Sequence, residues 1–171
     1  MRGLLAQAKE ARKAAHAHAL AGAKASNESA NAAHAAITKA GDQLAWTSGD
    51  DHFQPYVDLE DAIANYEPDN TVADRIQSLR DITDAAKAAL EVGPNEDDEE
   101  EDRITDADIA ANRPHLKAII QHAKAAREAL RTHAAARREM RSIRGSDWLE
   151  KYMRAVTVTK GRHPWLREAT P

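Results

Sequence analysis

LLAQAKEARKAAHAHALAGAKASNESANAAHAAITKA, residues 4–40, contains sixteen alanines, one glycine and no proline. Alanine has the highest intrinsic helix propensity, so the stretch reads as one helix from about residue 2 to Ala40. Gly41 then offers a C-terminal stop. At 1.5 Å per residue such a helix is ~57 Å long. A 4-3 spacing picks out Leu4, Ala8, Ala11, Ala15, His18, Gly22 and Ala25, and continues through Ser29, Ala32 and Ala36. No charge falls on this stripe, which predicts a seam where another helix backbone approaches closely. His18 would set register or hydrogen-bond across it. Small side chains bury little area, so a helix of this length is not expected to stand alone.

Outward from this helix, the pattern stays helical. Pro55 suits the first turn of a short helix with the stripe Tyr56, Leu59, Ile63 and Tyr66. Thr71 and Asp74 form a capping-box-like start for a third helix, whose apolar face is Val72, Ile76, Leu79, Ile82, Ala86 and Leu90. Gly93-Pro94 stops it. The run EDDEEED (residues 96–102) repels itself and is expected to be a disordered acidic linker. Thr105 and Asp108 cap a short turn ended by Pro114, and His115 to about Arg144 forms the second long helix. After Gly145, a last short helix carries Trp148, Leu149, Tyr152 and Met153, followed by a basic tail with Trp165. The expected fold is all-α: an elongated bundle or hairpin of two long helices, antiparallel or crossing, with shorter central helices. Three regions are expected, 1–93, 94–103 and 104–171.

Composition narrows the function classes. Leu, Ile, Val and Phe total 26 of 171 residues, below the ~20% at which a core becomes doubtful. A thin core predicts burial against other chains. Cysteine is absent, which removes disulfides and thiolate metal sites. No apolar run reaches the ~18 residues of a membrane span, and the N-terminus lacks a signal-peptide core. The expected setting is cytoplasmic, or within a virion should the chain be a phage component.

Charge is sorted along the chain. Residues 1–40 hold six Lys/Arg against two acids, residues 41–114 five against 21, and residues 115–171 thirteen against five. Lys117, Lys124, Arg127, Arg131 and Arg138 fall within an ~80° sector of their helix, with Arg141 just outside it. Such a stripe suits an anionic partner, either an acidic protein surface or a nucleic-acid backbone. It equally suits the acidic helices of the same chain. Trp148, Tyr152 and Trp165 are the candidate interface anchors, since interface hot spots favour aromatic residues.

Catalytic and metal chemistry find little material. There is no Gly-rich phosphate loop, nucleophile elbow or zinc-binding His-Glu-x-x-His. His115, His122 and His133 share a face, but stand ~10 and ~16 Å apart along the helix, too far to share one ion. Asp50-Asp51-His52 is the one compact set of potential ligands, and reads as a polar loop. The helix break at Gly145 resembles a helix-turn-helix only in outline, without the Asn, Gln or Ser run that reads base edges. Expected, therefore, is a non-enzymatic assembly or adaptor protein without cofactor, metal or small-molecule substrate. It would work through helix-helix contacts with protein partners in an oligomer or larger complex, phage or mobile-element particles being one such setting. The alternative is a nucleic-acid-binding protein without sequence preference.

Overall fold

The computed structural model describes residues 2–44, 54–94 and 105–145, together with Trp148 and Glu150; side chains are described from residue 6 onward. These residues are all-α, with four helices and no strand among them. Helix α1 spans Arg2–Gly41, α2 Gln54–Ala64, α3 Val72–Leu90 and α4 Asp106–Arg144. The acidic run, the loop with Asp50-Asp51-His52, and Tyr152 and Trp165 lie outside the described residues.

Local chemistry accounts for the ends. Thr71 caps α3: the Asp74 backbone N–H donates to its Oγ1 at 3.2 Å, and the Thr71 hydroxyl donates to Asp74 Oδ2 at 2.5 Å. Thr105 and Asp108 make the same reciprocal box ahead of α4, at 3.2 and 2.6 Å, and the Thr105 N–H adds a 3.0 Å bond to Asp108 Oδ2. These bonds from Thr105 hold the Asp108 carboxyl below the usual range.

Pro114 does not end a helix, contrary to the expectation from sequence: α4 runs through it without interruption. The ring removes the bond to the Ala110 carbonyl. Both Ala110 and Pro114 are exposed, so water can take that carbonyl, while Leu116 and Ile119 directly beyond are fully buried. Packing on the inner face outweighs the lost bond on the outer one.

The chain forms two compact units. Unit 2 is Glu28–Leu130 and unit 1 is Met1–Asn27 with Arg131–Pro171. Both long helices contribute residues to both units.

Unit 2 has a substantial core. Ala30, Ile37 and Ala40 from α1 meet Tyr56 and Leu59 from α2, Leu79, Ile82, Ala86 and Ala89 from α3, and Leu116, Ile119, Ala123, Ala126 and Leu130 from α4. Tyr66, just past α2, completes it. Among the described residues, the large buried apolar side chains are concentrated here. Three polar side chains are buried with them: Arg75, Thr83 and Asn112. Thr83 donates to the Leu79 carbonyl at 2.7 Å. Asn112, 1% exposed, hydrogen-bonds the buried Tyr56 hydroxyl, whose pKa burial pushes up.

Unit 1 is built differently. Among the described residues, its core consists of Ala8, Ala11, Ala15 and Ala19 of α1 with Ile143 and Trp148, and the half-buried Met140 against them. The two helix segments run antiparallel, because early α1 residues meet late α4 residues. Arg12 fixes that register: its Nε and Nη2 donate to the Ile143 and Arg144 carbonyls, each at 2.8 Å. These are terminal carbonyls of α4 that have no partner within the helix. The His133 Nδ1 lies 2.7 Å from the Ala23 carbonyl, so the proton sits on that nitrogen, and Arg144 Nε donates to His16 Nε2 at 3.2 Å.

Candidate functional site

The uncharged stripe of α1 divides. Ala8, Ala11 and Ala15 are buried inside unit 1, whereas His18, Gly22 and Ala25 are exposed. Leu4 is helical, with its side chain outside the described residues. The stripe is therefore not one seam open to a partner. The reason is the period. The buried face runs Ala8, Ala11, Ala15, Ala19, Ala23, fifteen residues in four turns, while a 4-3 stripe slips by ~20° each heptad on a straight helix. After two heptads the stripe has turned out of the core. His18 accordingly does not set register inside it; Arg12 and His133 do that. Among the described residues Leu20, 51% exposed, is the large apolar side chain left in solvent, and it lies on the opposite flank of α1 from His18, Gly22 and Ala25.

Trp148 is not a free interface anchor. At 6% exposure it is a core residue of unit 1, packed over the α1 alanines. Small residues on one helix leave a gap that a single large ring fills.

The cationic stripe of α4 belongs to two environments. Lys117, Lys124 and Arg127 lie in unit 2, and Arg131, Arg138 and Arg141 in unit 1. All are exposed except the half-buried Arg127. Arg127 helps Lys87 hold the Asp84 carboxyl below the usual range; Lys87, at 2.8 Å, is the main cause. To that extent the stripe is used within the chain.

Counting by unit sharpens the charge pattern. Unit 1 carries fifteen Lys/Arg against five Asp/Glu, and unit 2 nine against 23, that is, +10 and −14. Sequence blocks hide this because the first half of α1, with Lys9, Arg12, Lys13 and Lys24, joins the basic end of α4 only in three dimensions.

Two features of unit 2 have no counterpart in sequence patterning. A cavity of about 310 Å³ lies between α1 and α2, floored by Leu44, Tyr56, Leu59 and Ile63, with Thr38, Asp42 and Glu60 as its polar lining. Gly41 borders it, where a Cβ would meet Ile63 at 3.2 Å. The second feature is a polar cluster. Arg75, 4% exposed, donates from Nε to the Tyr66 hydroxyl at 2.9 Å and from Nη2 to Asn31 Oδ1 at 2.8 Å. Its guanidinium lies 5.8 Å from the Tyr66 ring centroid, and His34 stacks on that ring at 3.9 Å and 17°. Arg75 follows Thr71 by four residues and sits on the same face as Leu79, so its helical phase marks an inward position, which its charge disguises.

Among the described residues, no three His, Asp or Glu side chains are grouped to hold a metal ion, and no helix is long and apolar enough to cross a membrane. No protein-family model, curated protein or solved structure matches the chain.

Proposed function

We propose that the chain is a non-enzymatic assembly or adaptor protein, with unit 1 as its partner-docking part. The observation that carries this reading is the contrast between the units among the described residues: unit 2 hides large side chains from four helices, while unit 1 packs four alanines with Ile143 and Trp148. A two-helix unit whose described apolar core is this small gains little from burial, and it exposes the small residues Gly22 and Ala25 on one face of α1. A partner helix seated there would approach the α1 backbone closely. Around that surface the excess positive charge of unit 1 selects an acidic partner and speeds encounter with it.

Ala25→Glu tests this reading, because position 25 is exposed and the fold need not respond. The native complex should dissociate in size-exclusion chromatography while helicity and melting stay unchanged. An unaltered elution volume would remove this face from consideration. Ala15→Glu is a control of a different kind: it puts a charge into the core of unit 1 and should unfold that unit.

A second reading, sequence-nonspecific nucleic-acid binding, is favoured by the +10 charge of unit 1 alone. It requires an affinity that falls log-linearly and steeply with salt. Replacing Arg137, Arg138 and Arg141 together by Glu should then abolish retention of DNA or RNA. Retention that survives the triple change, or a complex that survives nuclease, excludes this reading.

A further inference from the structure

We propose that His34 is an acid-sensitive latch in unit 2: proton uptake at its Nε2 drives the ring off Tyr66 and releases the contacts that tie α1 to α3. This inference does not depend on the proposed function.

The geometry makes neutral imidazole the only form that suits the site. His34 Nε2 is buried and accepts no hydrogen bond. The Ile63 carbonyl is the acceptor that favours a proton on the ring. A ring that donates to Ile63 while neutral leaves Nε2 as the bare nitrogen. A proton added there creates an N–H without an acceptor, in a place water does not reach. It also creates a second cation in a cluster that already buries one, since Arg75 lies over the same Tyr66 ring on which His34 stacks.

Among the described residues, the groups around His34 offer no compensating acid. From α1 come the Asn31 amide, which accepts from Arg75, and Thr38, whose hydroxyl donates to the His34 carbonyl at 3.3 Å. The end of α2 provides the Ile63 carbonyl, and the turn after it the Tyr66 ring. Helix α3 provides Arg75, the charged group that acts on His34, and no charge of α4 contributes to its titration. Burial first, and Arg75 second, hold the His34 pKa below its ordinary value of 6.5.

The direction of the pH effect follows. Above the ordinary histidine range neither the closed nor the open state binds the proton, and the latch contributes nothing to pH dependence. As pH falls through that range, the open or unfolded state takes up a proton that the closed state refuses. Stability then declines until the lowered pKa of the closed state is reached, where it levels off. One proton can change the equilibrium by at most about tenfold per pH unit.

What opens is defined by the contacts. Tyr66 is both the stacking platform for His34 and the acceptor for Arg75, and Arg75 in turn reaches Asn31 on α1. Moving the imidazole off the ring frees Tyr66 to rotate, and the three-residue connection between α1 and α3 loses its centre.

The test uses the full chain and His34→Phe, which keeps a flat ring against Tyr66 and binds no proton. Denaturant unfolding is measured from pH 8 to pH 5, together with the Arg75 Nε–H resonance by NMR. The wild-type unfolding constant should rise relative to the variant by up to about tenfold per pH unit below the ordinary histidine range. The Arg75 signal should fade on acidification in the wild type and persist in the variant. Parallel stability curves, or an Arg75 signal that fades equally in both, would overturn the proposal. Should His34→Phe fail to fold, His34→Gln supplies the same neutral comparison. The histidine's own NMR titration decides independently, since a midpoint at or above 6.5 contradicts the latch.

Discussion

Leu79→Ala removes a fully buried side chain from α3 in the middle of the unit 2 core. Three carbon atoms leave, worth about 2.4 kcal/mol at ~0.8 kcal/mol per buried methylene-sized group. Leu79 belongs to a buried cluster to which all four helices contribute, so a cavity term adds to the loss. A total of about 3 kcal/mol is expected, within the ~2–5 kcal/mol range of such truncations. For a unit of about a hundred residues, 1 kcal/mol moves the midpoint by roughly 4–8 °C, so the melt should fall by roughly 12–24 °C. Circular dichroism at neutral pH measures it, with urea unfolding as the second estimate. A loss under about 1 kcal/mol would refute the reasoning, because a side chain on a surface, or in a loosely packed interior, gives such a value.

Smaller losses are expected at the helix ends. Thr71→Ala removes the cap of α3 and should cost about 1 kcal/mol in urea unfolding; Thr71→Ser, which keeps the hydroxyl, should restore it. Arg12→Ala leaves the last α4 carbonyls to water and should speed amide exchange around residues 140–144 more than anywhere in unit 2. Equal effects in both units would mean that Arg12 is not what holds the hairpin register.

The readable parts of this sequence were those governed by local rules. The extent of α1 follows from alanine content and Gly41, and the start of α3 from the Thr71–Asp74 spacing. The face of α3 was legible at Leu79, Ile82 and Ala86, yet Arg75 on the same face was not, because hydropathy ranks its charge above its position. The α1 stripe failed for a geometric reason: a 4-3 pattern is indistinguishable from the true 3.6-residue period over two turns and diverges over four. Pro114 misled because its cost is local, whereas the packing of Leu116 and Ile119 that overrides it comes from other helices. The surfaces were the least legible. Which cations gather in unit 1 depends on α1 and α4 running antiparallel, and a count of large apolar residues could not reveal that, among the described residues, the larger core lies in unit 2.

Native-state hydrogen exchange of the isolated chain addresses the unequal cores most directly. Amides of α3 around 79–89 and of α4 around 116–130 should exchange at least about a hundredfold more slowly than those around 8–23 and 133–143, a difference of about 2.7 kcal/mol in opening free energy. Uniform protection along α1 and α4 would contradict the account, since an alanine-lined hairpin that holds as firmly as the bundle would have no need of a partner to cover it.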